Sequence, residues 1–371
     1  MAEMEVVRVR DRKALRRFLA WPYWLYRNDP YWVAPLWMAQ KQLLDTRRHP
    51  FYAHAEMECF LALGGGRILG RIAAILDRSF NDFQHEQAGF FGFFESVRDA
   101  GVAGALLAAA RDWLLERGAR VIRGPMNPST NYECGLLVDG FDSSPCVMMP
   151  YNPRYYAELI EQAGLRKAKD LYAYDLTDPG VAVEKVERIA DRALQANRFR
   201  IRPIRLEAFE SELGIVWQIY NSAWSRNWGF SPMSRDEIFF MARDMKPILV
   251  PDLVLIGEVD GRPVGFALAL PDINEALKRA KGHLFPFGLL KILYYKQFIR
   301  RFRVITLGVQ EEYRTAGVAA GLYATLIRRG RQLGYNRCEV SWVLDDNVLM
   351  QRSAEALGAR RYKTYRVYEW N

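Results

Sequence analysis

The sequence predicts an α/β (α+β) fold built as two related domains in tandem. Three observations predict it. Apolar, β-branched runs alternate with amphipathic helical runs along the chain. A motif at Arg98 returns at Arg314 with its flanking landmarks in register. The length, 371 residues, is long for one core and comfortable for two.

Val6–Val9 reads as a first strand and Arg12–Leu25 as a helix with Leu15, Phe18, Leu19 and Trp21 on its apolar side. An aromatic loop with two prolines, Tyr26–Pro35, carries Tyr31 and Trp32 and leads to a helix over Leu36–Leu44. Glu58–Leu63 and Ile68–Leu76 flank a Gly64-Gly65-Gly66 turn as a hairpin. Gly89–Glu95 is the next strand. In the second half, Arg200–Ile204 reads as a strand and Leu213–Trp224 as a helix. A second aromatic loop follows, with Trp224, Trp228, Phe230 and Pro232. Leu253–Val259 and Pro263–Leu270 form a hairpin around Asp260-Gly261.

The stretch Val304–Gly334 organises the chain. Val304–Val309 reads as a buried strand, Gln310–Thr315 as a polar turn, and Ala316–Gly321 as the small-residue start of a helix. A helix start leaves backbone N–H groups unpaired and carries the positive end of the dipole, so it suits a phosphate. Gly317 lets an anion approach the backbone, and Arg314 adds charge. The same glycine and alanines would also serve tight helix–sheet packing. The strand Arg337–Leu344, a short helix ending at Gly358 and a last strand Tyr362–Trp370 complete the half.

Arg98–Ala103 matches Arg314–Ala319 at every position but the second. Leu106 and Leu322, then Gly118 and Gly334, keep the register. Gly164 and Gly358 are each followed at equal offsets by Lys169 and Lys363, Tyr174 and Tyr368, and Asp175 and Glu369. The expected domains are residues 1–180 and 181–371, joined near Thr177–Gly180, with a linker or helix over 181–197. The first half carries about 21 extra residues in Gly124–Tyr151, a length that points to function.

Apolar residues make up 50% and charged residues 26%, which excludes a disordered chain. The net charge of +9 favours anionic partners. Cys59, Cys134, Cys146 and Cys338 lack metal or redox spacing, so no metal is expected and a reducing, cytoplasmic setting is. No apolar run is long enough to span a bilayer. Glu275–Arg303 holds eight Lys or Arg, one acid and many large apolar residues. It reads either as the face of an anionic membrane or as a core-covering helix with a solvated basic side. No other basic cluster carries stacking aromatics, so no nucleic acid is expected.

Arg314-x-x-Gly317-x-Ala319 after a strand resembles the coenzyme A pyrophosphate loop of the GNAT acyltransferases. The phrases FFGFFES, GPMNPSTNYECGLLVDGFDSSPCVMMPYNPRYY, GFALALPDIN and VSWVLDDN resemble a bacterial tandem-GNAT family over nearly the whole chain. That family is similar to an enzyme that N-acylates a sphingoid base, which suggests a long-chain, sphingoid-type amine as acceptor. The resemblance implies two domains, each a mixed, largely antiparallel sheet flanked by helices. It implies acyl-CoA as co-substrate, with no permanently bound cofactor, and an amine acceptor. The acyl-CoA would lie on Val309, Arg314, Thr315, Ala316, Gly317, Val318, Ala319 and Ala320.

Acyl transfer to an amine needs a base and a donor for the carbonyl oxygen. Glu311 and Glu95 sit at equivalent strand ends and are base candidates, with Glu133 and Asn347 as further catalytic candidates. Many GNAT enzymes use a tyrosine four residues before the glycine that ends their last helix. Here Ile160 and Ala354 stand there, so water or Tyr362 would replace it. Substrate-binding candidates are Trp32, Asn131, Asp142, Trp224, Trp228, Asp272, Asn274 and Trp342. Asp and Asn at these positions would equally serve turns and helix caps. Two further functions stay open: acetylation of a small soluble amine, and acyl-CoA binding without turnover.

Overall fold

The structure is a computed structural model that describes residues 4–177, Arg188, Asp191 and 199–370. The expected junction and linker therefore lie almost wholly outside the described residues. Those described divide into two compact units. The first comprises residues 1–171, 277–292 and 363–371; the second comprises 172–276 and 293–362.

In the first unit, β1 (Glu5–Arg8), β2 (Ala55–Gly64), β3 (Arg67–Asp77), β4 (Ala88–Ser96) and β5 (Val121–Gly124) are neighbours in that order. All pair antiparallel except β4 with β5, which run parallel from Ala88↔Val121 to Phe90↔Arg123. The expected long loop builds short strands: β6 (Met126–Asn127), β7 (Glu133–Cys134) and β8 (Leu136–Asp139). Helix Ala100–Leu115 lays Val102, Leu106, Leu107, Ala110 and Leu114 on the sheet. After helix Tyr156–Gln162 comes β9 (Arg166–Thr177), of which residues 166–171 belong to this unit.

In the second unit, β10 (Phe199–Pro203), β11 (Val254–Val259), β12 (Arg262–Pro271), β13 (Arg301–Val309) and β14 (Arg337–Leu344) follow the same order. Again one neighbouring pair is parallel: β13 and β14 pair from Arg301↔Arg337 to Val304↔Val340. Helix Val318–Gln332 buries Val318, Leu322, Leu326 and Ile327 against this sheet.

The last strand, β15 (Arg360–Trp370), pairs with β5 through Tyr368↔Gly124 inside the first unit. Residues 172–177 of β9 lie in the second unit, next to β14. Tyr174 and Tyr368, equivalent in the repeat, thus each sit in the core of the unit built mainly from the other half of the sequence.

Two sequence expectations change. Glu275–Arg303 is not one amphipathic element. It forms helix Asn274–Ala280, a turn with Lys281 and Gly282 at positive φ, helix Gly288–Tyr295, and the start of β13. Gly282 and Pro286 break the helical run, and the strand begins at Arg301 rather than Val304. Helix Arg235–Met245 was not expected. Its signal is present, since Ser234 and Glu237 form a capping box.

Candidate active site

In the second unit, β13 leaves the ladder with β14 after Val304 and continues unpaired to it as far as Val309. A 3-10 turn, Glu311–Ala316, then delivers the chain to Gly317. Gly317 has φ +78°, a left-handed conformation that a side chain disfavours. It opens the 15-residue helix Val318–Gln332, and as the N-cap residue it has no side chain of its own to cap that start. That helix start presents its first N–H groups and the positive end of the dipole, with the small residues Ala319 and Ala320 beside them. Val309 is buried, with its side chain in the core, so it offers the site backbone only. Thr315 and Ala316 complete the turn.

Two charged candidates at this turn have partners. Arg314 Nη2 donates to the carbonyl of Ala223, 2.9 Å away, which fixes the turn to the end of helix Phe209–Ala223. Glu311 is exposed, and its Oε1 pairs with Arg226 Nη1 at 2.5 Å. Trp224 covers β13 so closely that a Cβ on Gly308 would lie 2.1 Å from its ring. It stacks on Tyr220 with centroids 5.1 Å apart and leans on Phe266. Trp228 is half-buried in the loop beyond it.

The first unit repeats the plan and closes it. Asp99 stands where the second unit has Thr315, and its carboxylate accepts from Gly101 N and Val102 N at 2.8 and 3.1 Å. The anion position at that helix start is thus filled by the chain itself. The unpaired part of β4 is also covered. Asn127 Oδ1 accepts from Phe93 N at 2.6 Å, and a Cβ on Gly92 would meet the Met126 carbonyl.

Glu95 lies below that closed face. Its Oε2 accepts from Tyr26 Oη at 2.6 Å and from Tyr156 Oη at 2.7 Å. Its Oε1 is 3.7 Å from Arg71 Nη2. Burial raises the Glu95 carboxyl above its ordinary value, opposed by Arg71 and the two phenols. Trp32 stacks on Tyr26 at 5.0 Å, so the aromatic loop roofs this network. Glu133, on β7, adds negative charge that pushes the Glu95 value further up.

Several of the remaining candidates serve local structure. Asp272 is fully buried, and its Oδ2 accepts from Arg301 Nε at 2.9 Å. Asn274 starts helix Asn274–Ala280. Asn347 caps helix Val348–Ala356 through Met350 N at 3.1 Å. Asn131 is half-buried in a turn, its backbone N donating to Ser129 Oγ, and Asp142 is exposed. Trp342 is half-buried, and its Nε1 is buried without a hydrogen-bond partner among the described residues.

A cluster that the sequence reading missed lies in the second unit, where β13 and β14 part. Arg303 and Glu339 face each other across the ladder, 3.4 Å apart, both fully buried. Ser341 Oγ accepts from Arg303 Nε at 2.8 Å and donates to Glu339 Oε1 at 2.7 Å. Tyr362 Oη donates to Glu339 Oε2. The available signal was alternating charge, Arg301-x-Arg303 and Arg337-x-Glu339, leading into apolar strands.

Residues 214–359 match the Acetyltransferase (GNAT) family. The chain is 37% identical to bacterial ceramide synthase of Caulobacter vibrioides, over 99% of this chain and 97% of that protein. It is 35% identical to Protein YghO of Escherichia coli, over 97% and 93%. Among solved structures, a tandem GNAT protein from the clavulanic acid biosynthesis pathway superposes with a TM-score of 0.58. That match has 12% identity and covers 99% of this chain and 98% of the other.

Proposed function

The chain belongs to the bacterial tandem-GNAT N-acyltransferases, the family of its relative bacterial ceramide synthase, and from that premise we propose that its second unit carries the acyl-CoA. The observation that carries this reading is the helix start at left-handed Gly317, set beside a first-unit start where the charged Asp99 carboxylate accepts from Gly101 N and Val102 N. Val309–Ala320 would hold the pyrophosphate. Backbone on the unpaired end of β13 would face the thioester carbonyl, where an N–H donor lowers the barrier to attack.

The acceptor in this reading is a long-chain, sphingoid-type amino lipid. Trp224 and Trp228 of the second unit offer rigid apolar surface that suits an alkyl chain. The exposed stretch 284–298, with its aromatics and lysines, suits contact with anionic lipid at the cytoplasmic face.

The experiment pairs calorimetry with product analysis. Gly317→Glu places a side chain at a positive φ and a negative charge at the anion position, so CoA binding should be lost. Unchanged affinity removes the assignment. Wild-type protein given a long-chain acyl-CoA should acylate a sphingoid base in preference to a short soluble amine. Equal use of both would favour the small-amine reading.

A further inference from the structure

Burying an arginine and a glutamate strips both of water. That cost often matches or exceeds what their attraction returns. A well-packed apolar pair at Arg303 and Glu339 would serve a sheet equally well. The first unit has Phe90 opposite Arg123 at the equivalent rung, and Arg123 there pairs with Glu86 and Glu369. The second unit instead keeps a connected chain of four groups, Arg303, Ser341, Glu339 and Tyr362. It sits one rung before the last pairing of β13 with β14. Tyr362 is the member of that chain that reaches partial exposure. The position of a hydroxyl acid expected from the last helix is occupied by buried Ala354.

We infer that Tyr362, backed by Glu339, moves the proton of the acyl transfer, with Arg303 and Ser341 as positioning residues; this rests on the second unit being the acyl-CoA unit. The neutral amine attacks the thioester carbonyl and forms the C–N bond. Its surplus proton passes to Tyr362 Oη while the phenol's own proton passes to Glu339 Oε2. The C–S bond then breaks, and the proton returns through Tyr362 to the CoA sulfur. The products are the amide and free CoA thiol, and both residues end as they began. Arg303 and Ser341 hold Glu339 Oε1, which leaves Oε2 to the phenol.

Tyr362→Phe removes one oxygen from a partly exposed ring, so folding should survive. Thiol release with saturating amine is expected to fall on the order of 100-fold in kcat, the usual scale for one proton-transfer group. CoA affinity by calorimetry should stay at its wild-type value, and the melting temperature should fall only by what one lost hydrogen bond to a buried carboxylate implies. Glu339→Gln should lower kcat in the same way, and Ser341→Ala should lower it less. If the wild type binds CoA and turns over while Tyr362→Phe matches it, the relay falls and the acyl-CoA reading stands. If kcat falls only in proportion to a loss of CoA affinity, the cluster is structural and the relay falls. If the wild type binds no CoA, both fall.

Discussion

Glu95 separates what a residue's neighbours in sequence reveal from what the fold adds. Its place at a strand end ahead of Arg98 was legible. Its partners were not, because Tyr26 and Tyr156 lie 69 and 61 residues away. Burial lifts its carboxyl above the ordinary 4.5, against the pull of Arg71 and the two phenols. The folded chain then holds this proton more tightly than the unfolded chain does. The stabilisation from that proton is full below the unfolded value and is lost as pH rises through the folded one. Measured by melting temperature, the advantage of wild type over Glu95→Gln should therefore shrink as pH rises from about 4.5. A difference flat with pH would mean that the phenols and Arg71 fully offset burial. Tyr362 shows the same limit in the second unit: its number was visible, but its bond to Glu339 needed two strands brought together.

At the scale of elements, periodicity located most helices and strands, and it failed where charge was read as exposure. Arg301 and Arg303 looked like part of a basic face. In the fold they point into the protein, paired with Asp272 and Glu339. What remains outside is shorter and more apolar. Phe285, Phe287 and Leu290 are 76%, 65% and 63% exposed, and Leu293, Tyr294 and Phe298 are also out. Lys281, Lys291, Lys296 and Arg300 are exposed around them, and no acid occurs between Glu275 and Glu311. Among the described residues no helix is long and apolar enough to cross a membrane. Large apolar side chains with flanking cations suit the bilayer surface, and like charge disfavours a second copy of the segment. Replacing Lys291, Lys296 and Arg300 by Gln should weaken binding to anionic vesicles by about 1 kcal/mol per charge. Replacing Arg301 should instead unfold the second unit, since it strands Asp272 in the core. Cosedimentation indifferent to lipid charge would refute the membrane contact.

For the whole molecule, the repeat announced two similar units, and the landmarks from Arg98 and Arg314 onward kept their register. The partner of each last strand was not legible. Tyr174 and Tyr368 are equivalent, so either pairing satisfies the same local pattern, and only the folded chain distinguishes them. The motif at Arg98 differs from that at Arg314 by a single residue, which makes the first half a second candidate for the coenzyme. That residue is decisive in the fold. Asp99 satisfies the first helix start with its own carboxylate and brings negative charge to the position a pyrophosphate would need. Asn127 and Met126 cover the unpaired edge of β4 as well. Where the first motif has Asp99 the second has Thr315, which brings no charge, and its helix starts at Gly317. Native mass spectrometry with CoA should therefore give one coenzyme per chain, lost in Gly317→Glu and kept in Asp99→Asn. Two bound molecules per chain would show that the first unit opens to CoA despite its cap. One molecule retained in Gly317→Glu would move the coenzyme to the first unit and make Glu95, not Glu339, the carboxylate nearest the chemistry.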